Sequence, residues 1–444
     1  MKDTILIVDF GSQVTKLIAR RIREFGVFSQ IVPYHQLKKK NIQVDEVKGI
    51  IFSGGPNSVD EKFAPKVPKS IYNLNIPILG ICYGLQLICK KFGGKVSYSQ
   101  KREFGKIFLK VKKKSLLFDN TFKVNKEYQV WMSHSDAVKQ LPNGFESIAS
   151  SNSCQSAVVQ NTKEKIYGVQ FHPEVVHTYK GKEILMNFVK KICRCKKHWN
   201  MKSFKNDIIQ SIRKKVGNNN VLCGLSGGVD STVTAVLVHN AIGDQLKCLF
   251  VDTGLMRMNE ARSIKKLFNE NFNIKLDVVN SSKKFLAKLS KVKDPETKRK
   301  IIGKQFIDVF ERYSNKQKNI KFLAQGTLYP DVIESSSNMG KKSVTIKSHH
   351  NVGGLPKNIK FKLLEPLREL FKDEVRKLGK ELNIPNELVN RHPFPGPGLG
   401  IRILGEITKK NVEILRKADE IFIKKIKEKG LYDKIWQAFC VLLP

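Results

Sequence analysis

A cysteine stands at position 82 with a glycine two residues before it and another two residues after it. The apolar run Ile76–Ile81 predicts a buried strand, and the residues after Cys82, through Lys91, predict a helix. The two glycines permit the tight strand-to-helix turn that exposes a nucleophile, and the start of a helix stabilises a thiolate. The pattern predicts a reactive cysteine. The alternative is a buried structural residue, which we expect of Cys89.

A histidine and a carboxylate that could serve this cysteine end a second predicted strand. His172 closes the run that begins at Tyr167, and Glu174 follows two residues later. The imidazole could act as base and acid toward the thiol while Glu174 orients it. The turn at residues 53–56 (SGGP) offers backbone N–H groups that could stabilise an oxyanion. Together these residues predict acyl transfer, without identifying the acyl donor.

A second chemical motif is the sequence SGGVDST at residues 226–232, between a predicted strand and a predicted helix. Its glycines allow backbone N–H groups to surround phosphate oxygens, with Ser226, Ser231 and Thr232 as additional donors. Asp230 would repel a bare phosphate, which suggests a bridging Mg²⁺. Because no Gly-Lys-Ser/Thr ending follows, the motif is not a kinase-type phosphate loop.

The elements that must position these residues alternate between strands and helices. This alternation runs through the first 190 or so residues and begins again near Phe204, with strands at Val221–Leu225, Lys247–Asp252 and Ile274–Val279. Such βαβ patterns predict mostly parallel sheets covered by helices, with ligands at the carboxyl ends of the strands. We expect a first domain at residues 1–192, a linker at 193–203, a second domain at 204–393 and a third segment at 394–444.

Composition excludes several classes of protein. The 444 residues are 41% hydrophobic and 27% charged, which is typical of a globular chain with two or three domains and excludes general disorder. We expect no membrane span and no signal peptide. The eight cysteines are scattered through apolar contexts, which favours free thiols in a reducing cytoplasm.

The formal net charge of +40 has two interpretations. A selected polyanion surface would release counterions on binding nucleic acid. The alternative is compositional drift in an AT-rich genome. We favour drift, because the basic residues spread along the chain and form no single stripe.

The residues around Cys82 closely resemble those of the class I glutamine amidotransferase family. The resemblance implies an open mixed sheet with flanking helices, and hydrolysis of glutamine to glutamate and ammonia through a thioester on Cys82. It assigns His172 and Glu174 to the catalytic triad. Its oxyanion and glutamine-binding positions are Gly54, Gly55, Tyr83 and Gln86. From the sequence alone, Gln86 could equally be a polar surface residue.

Residues 226–232 resemble the loop of the ATP pyrophosphatases, which cleave ATP between the α and β phosphates. The resemblance implies a Rossmann-like domain in which Ser226, Gly227, Gly228, Val229, Asp230, Ser231 and Thr232 bind ATP. Asp252 stands where that family holds the adenosine. Thr253 departs from the asparagine usual there, which weakens this assignment.

Further motifs extend the resemblance to essentially all 444 residues, as a member of the glutamine-hydrolysing GMP synthase family. They lie at residues 9–13, 296–303, 325–335, 346–356 and 391–399. The resemblance implies that xanthosine monophosphate (XMP) is aminated at C2 to GMP, through an adenyl-XMP intermediate that releases AMP and pyrophosphate. It implies Arg299 at the nucleotide phosphate and Asp331, Glu334 and Lys347 on a lid. ATP and Mg²⁺ would be required, with no tightly bound organic cofactor.

The resemblance also implies that residues 394–444 are the start of a small α+β dimerisation domain. Its family continues past the position of Pro444, so we expect this domain to be truncated and a homodimer only if it is complete. Ser135 replaces a glycine that is typical of the family.

Two other functions compete with this interpretation. One keeps the ATP pyrophosphatase and makes the acceptor a tRNA base, which the positive charge would favour but which leaves the amidotransferase half unexplained. The other is a degraded scaffold that binds nucleotide without turnover. The intact Cys82, His172, Glu174 and 226–232 motifs argue against it, and we expect neither a nucleic-acid partner nor a membrane partner.

Overall fold

The computed structural model describes residues 2–37, 45–317, 319–337 and 360–443, and it leaves out the side chains of residues 99–101 and 335–337. The chain divides into two units, Met1–Asn200 and Met201–Pro444. The division falls inside the predicted linker, and helix α5 (Met201–Val216) already begins there. The domain boundaries themselves stay predictions.

The first unit is built on a mixed sheet of nine strands within the described residues, in the order β2-β1-β3-β4-β9-β8-β7-β5-β6. The strands are β1 Thr4–Asp9, β2 Phe28–Pro33, β3 Val47–Phe52, β4 Ile78–Ile81, β5 Lys95–Val111, β6 Glu127–Gln140, β7 Glu146–Ser150, β8 Val158–Asn161 and β9 Ile166–Val169. Strands β2, β1, β3, β4 and β9 pair in parallel, and the remaining pairs are antiparallel. The helices are α1 Thr15–Glu24, α2 Lys69–Tyr72, α3 Tyr83–Lys91 and α4 Gly181–Asn187.

The parallel half of this sheet is buried on both faces. Ile5, Ile7 and Val8 in β1 are completely buried, and so is Ile18 of α1. Continuous apolar strands of this kind form where helices cover both faces of a sheet. Because β4 and β9 are parallel neighbours, their carboxyl ends meet at one edge. Residues that follow the two strands are therefore brought together there.

The second unit holds a parallel sheet of five strands in the described part of the chain, in the order β12-β11-β10-β13-β14. The strands are β10 Asn220–Leu225, β11 Leu246–Asp252, β12 Leu276–Asn280, β13 Ile320–Ala324 and β14 Lys362–Leu364. The helices are α5 Met201–Val216, α6 Val229–Ile242, α7 Glu260–Phe272, α8 Ser282–Leu289, α9 Pro295–Asn315, α10 Tyr329–Ser337, α11 Lys372–Glu381, α12 Asn386–Val389 and α13 Lys409–Glu428. The predicted α/β class, with a mixed sheet followed by a Rossmann-like parallel sheet, is confirmed.

The residues after the Pro/Gly cluster pack onto the second sheet's core. Leu399, Val412 and Leu415 share one apolar cluster with Leu249 of β11. Buried Lys298 of α9 holds this region, because its ammonium group donates to the carbonyls of residues 403 and 405 at 2.8 and 2.7 Å. None of the helices among the described residues combines the length and apolar character that a membrane crossing requires.

Candidate active sites

Cys82 occupies a strained turn between β4 and α3. Its φ and ψ angles are 50° and −106°, a conformation that non-glycine residues rarely adopt. A Cβ at Gly80 would lie 2.6 Å from the Gly84 carbonyl carbon, and one at Gly84 would collide with the carbonyl oxygen of Phe52. The glycine spacing is therefore a steric requirement, and it places the sulfur at the first turn of α3.

His172 and Glu174 lie beside this cysteine. His172 Nδ1 donates to Glu174 Oε1 at 2.9 Å, and the imidazole lies near enough to Cys82 for the sulfur to help raise the pKa of His172. Glu174 is almost fully buried. A Cβ at Gly54 would lie 3.2 Å from His172 Cε1 and 3.8 Å from Cys82 Cβ, so the turn at residues 53–56 covers the pair. The structure thus joins residues far apart in sequence into a thiol–imidazole–carboxylate array.

The electrostatics of this array favour a charged imidazole. Burial disfavours the imidazolium, but hydrogen bonds with Cys82 and Glu174, together with the charges of both groups, raise the pKa of His172 to about 10. An imidazolium held beside a sulfur atom favours the thiolate, the nucleophilic form of cysteine.

The raised pKa of His172 gives a direct prediction. The pKa of His172 in the folded state, about 10, lies above the ordinary 6.5. The charged imidazole therefore stabilises the folded state fully below about pH 6.5, and this contribution is lost as the pH rises through about 10. We expect the His172 ring resonances in an NMR titration to stay those of imidazolium through pH 8. In Glu174→Gln the midpoint should fall, because the carboxylate charge is gone. A midpoint near 6.5 in the unaltered chain would contradict this account.

Of the other positions assigned to the glutamine site, Gly55 and Tyr83 contact each other, whereas Gln86 bonds a different part of the domain. Gly55 packs against the Tyr83 ring, since a Cβ there would lie 3.4 Å from Tyr83 Cγ, and the Tyr83 hydroxyl donates to the Pro65 carbonyl at 2.6 Å. The side chain of Gln86 is buried, and its Nε2 donates to the Asp136 carbonyl at 2.8 Å. Gln86 therefore joins protein groups inside the domain.

Sequence reasoning missed Gln170. This fully buried residue places Nε2 3.5 Å from Cys82 Sγ, and its Oε1 lies 3.3 Å from Gln86 Nε2. A usable signal was present, because the strand predicted from Tyr167 ran to His172 and alternate residues of a strand point to the same side, although β9 itself ends at Val169. Gln170 precedes His172 by two residues.

The loop at residues 226–232 joins β10, the central strand of the second sheet, to α6. Gly227 has a φ of +74°, which favours glycine. The Ser231 hydroxyl donates to the Gly228 carbonyl at 3.0 Å and lies 3.1 Å from the Ser226 hydroxyl, while buried Thr232 donates to the same carbonyl at 2.9 Å. Val229 begins α6, so the loop surrounds a helix N-terminus at which an anion is stabilised.

Asp230 has a partner that the sequence did not reveal. Lys372 Nζ donates to both of its carboxylate oxygens, at 2.7 and 2.6 Å. Gly326, after β13, approaches Asp230 closely, since a Cβ there would lie 3.0 Å from Asp230 Cβ. At the end of β11, Asp252 Oδ1 accepts from the Gly254 N–H at 2.9 Å. Two carboxylates and a lysine therefore lie near one edge of the sheet.

Arg391, in the segment at residues 391–399, also binds this loop. Arg391 Nη1 donates to the Gly227 carbonyl at 2.7 Å, and its guanidinium also pairs with Glu260. Among the described residues there is no cluster of three or more His, Cys, Asp or Glu side chains that could hold a metal by themselves. A metal at Asp230 would therefore need ligand atoms from the nucleotide.

Of the residues assigned to XMP and the lid, Arg299, Asp331 and Glu334 lie on two helices of the second unit. Arg299 lies on α9, with Nη1 3.7 Å from Glu296 Oε2. Asp331 Oδ2 accepts from the Leu328 N–H at 2.9 Å, at the start of α10, and Glu334 lies further along that helix. Lys347 lies outside the described residues.

Comparison with known proteins decides the family. Residues 6–192 match the class-I glutamine amidotransferase family and residues 201–304 match the NAD synthase family. The chain is 56% identical over its whole length to a GMP synthase (glutamine-hydrolysing) of Zymomonas mobilis, of which it covers 84%. The chain belongs to the glutamine-hydrolysing GMP synthase family. The GMP synthase of Bartonella henselae is 55% identical over all of this chain and 85% of the relative, and that of Aquifex aeolicus is 55% identical over 99% and 85%.

Proposed function

We propose that this chain converts XMP to GMP with glutamine as nitrogen donor and ATP as activating substrate. The observation that carries the proposal is the hydrogen-bonded His172–Glu174 pair beside Cys82, in a chain of the GMP synthase family that also has a phosphate-type loop at residues 226–232. An ammonia-producing site and an ATP-cleaving site complement each other chemically.

In the first step, the His172 imidazolium holds the proton that Cys82 has given up, and the thiolate attacks the amide carbon of glutamine. The backbone N–H groups of Gly55 and Tyr83 would stabilise the oxyanion, in the turn where these residues contact each other. His172 then returns the proton to the leaving ammonia, and a water molecule that it deprotonates hydrolyses the thioester to glutamate. Glu174 keeps the imidazole oriented throughout.

In the second step, the C2 oxygen of XMP attacks the α phosphate of ATP, and pyrophosphate leaves. The loop N–H groups at residues 226–232 would hold the phosphates, with Asp252 near the adenosine. Asp230 would hold Mg²⁺, which when bound offsets the charge of the leaving pyrophosphate. Lys372 pairs with both oxygens of the Asp230 carboxylate, so Mg²⁺ would have to share that carboxylate with the ammonium group or displace it. Ammonia then displaces AMP from C2, and no tightly bound organic cofactor is needed.

The remaining assignments are part of the same proposal. Arg299 would bind the XMP phosphate bidentately, and Asp331, Glu334 and Lys347 would close over the reacting nucleotide. We place the chain in the cytoplasm, because all eight cysteines are free thiols. Exposed apolar side chains of the C-terminal segment, including Ile421 and Trp436 at 62% and 70% exposure, support a homodimer if that domain is complete.

The experiment that tests the substrate is a pyrophosphate-release assay with ATP and Mg²⁺. We expect release with XMP and less than about one hundredth of that rate with inosine monophosphate, which lacks the C2 oxygen to be adenylated. A control with Asp244→Asn, an exposed change near the start of β11, should behave like the unaltered chain. Equal release with both nucleotides, or release stimulated only by tRNA, would contradict the proposal.

A further inference from the structure

We propose that Gln170 is a positioning residue that stabilises the Cys82 thiolate, and that Gln86 fixes the orientation of the Gln170 amide. This inference rests on the proposed glutaminase chemistry, because it concerns the nucleophile of that reaction.

The orientation of both amides follows from one backbone carbonyl. The Asp136 carbonyl can only accept, so the end of Gln86 that lies 2.8 Å away must be Nε2. The same Nε2 lies 3.3 Å from the Gln170 side-chain amide, so the end of Gln170 that faces it must be Oε1. The remaining end of Gln170, Nε2, then points at Cys82 Sγ, 3.5 Å away. A donor is thereby directed at the sulfur.

The surroundings of the sulfur show why a donor matters. The thiol can donate to the Ser133 carbonyl at 3.6 Å. Once the thiol has lost its proton, it can no longer donate to the Ser133 carbonyl, and the carbonyl oxygen then lies beside a negatively charged sulfur. Gln170 Nε2 and the His172 imidazolium then offer hydrogens to the sulfur. The environment therefore has an acceptor for the thiol and donors for the thiolate.

Burial increases the effect of losing either of these hydrogen bonds. Gln170 is completely buried and Gln86 is 3% exposed, so solvent does not readily replace a lost hydrogen bond. Hydrogen bonds to charged groups are stronger than those between neutral groups, and an unpaired buried amide is unfavourable. The chain from Asp136 through Gln86 and Gln170 thus holds one N–H group against the nucleophile.

The test is the pH dependence of Cys82 alkylation by iodoacetamide, followed by mass spectrometry of the peptide that contains Cys82. In Gln170→Met, which keeps the length but removes the donor, we expect the profile to move to higher pH and the rate at pH 7 to fall about tenfold. Gln170→Glu, which places an acceptor at the sulfur, should react more slowly still. Gln86→Met should shift the profile in the same direction by less.

Gln160→Met is the matched control. Gln160 is also a buried glutamine of the first unit, but its amide bonds Ser115 and Glu146 instead. Its alkylation profile should match that of the unaltered chain. An unchanged profile in Gln170→Met, a Gln170→Glu rate equal to the original, or an equal shift in Gln160→Met would overturn the inference. Alkylation needs no glutamine turnover, so failure of the proposed glutaminase would appear separately, as missing glutamate with an intact alkylation profile.

Discussion

A Cys82→Ala variant is expected to lose glutamine-dependent GMP formation by at least about 10⁴-fold and to keep synthesis from added ammonium salts. The thioester cannot form without the sulfur, whereas ammonia supplied from solution bypasses that step. Glutamate production and GMP formation, measured in parallel with each nitrogen source, separate the two activities.

Cys89→Ala is the control for this substitution. Cys89 lies in the same helix, is completely buried, and its thiol pKa is raised to about 12 by burial, with the charge of Cys154 as a second cause. Its loss should lower stability through a small cavity but leave glutamine use intact. Loss of the ammonia-dependent reaction in Cys82→Ala, or continued glutamine hydrolysis, would refute the division of labour.

An Asp230→Ala variant is expected to lower XMP-dependent pyrophosphate release by about 10³-fold while glutamine hydrolysis continues. The carboxylate would hold Mg²⁺ against the leaving pyrophosphate, and positioned charges of this kind contribute on the order of 10²–10³ in rate. Pyrophosphate and glutamate are measured on the same preparation.

The folded state should tolerate this change. The Lys372 side chain is 32% exposed, so water can hydrate its ammonium group once Asp230 is gone. Loss of the ion pair should therefore lower the stability of the folded state only slightly. Lys372→Met provides the complementary test, since it keeps Asp230 but removes its ion-pair partner. We expect pyrophosphate release to fall by less than in Asp230→Ala. If Asp230→Ala releases pyrophosphate at the original rate, Asp230 has no part in ATP cleavage.

The sequence was sufficient where chemistry depends on local spacing. Gly80 and Gly84 around Cys82 predicted the strained turn, because a Cβ at either position would collide with neighbouring backbone. Residues 226–232 predicted a loop at a strand end because glycine permits the backbone conformation found at Gly227, where φ is +74°. His172 and Cys82 could be paired because both follow predicted strands, and parallel strands β4 and β9 bring those ends together.

The sequence was insufficient where a contact crosses the fold. Lys372 and Asp230 are 142 residues apart, and nothing local distinguishes this lysine from the many others. The long pair β5 and β6 was also missed, because the prediction relied on continuous apolar runs, whereas this antiparallel pair carries charged and polar residues among its apolar ones. For Gln86 the sequence left a polar-surface position open, whereas its side chain is buried against Asp136 and Gln170.

The central claim concerns the route of one nitrogen atom. The most direct measurement supplies the unaltered chain with glutamine labelled with ¹⁵N in its amide, XMP, ATP and Mg²⁺, in the presence of unlabelled ammonium. Mass spectrometry then follows the exocyclic nitrogen of the GMP. We predict GMP that carries the label. If glutamate accumulates while the nucleotide stays unlabelled, the two chemistries are not joined in this protein and the account is wrong.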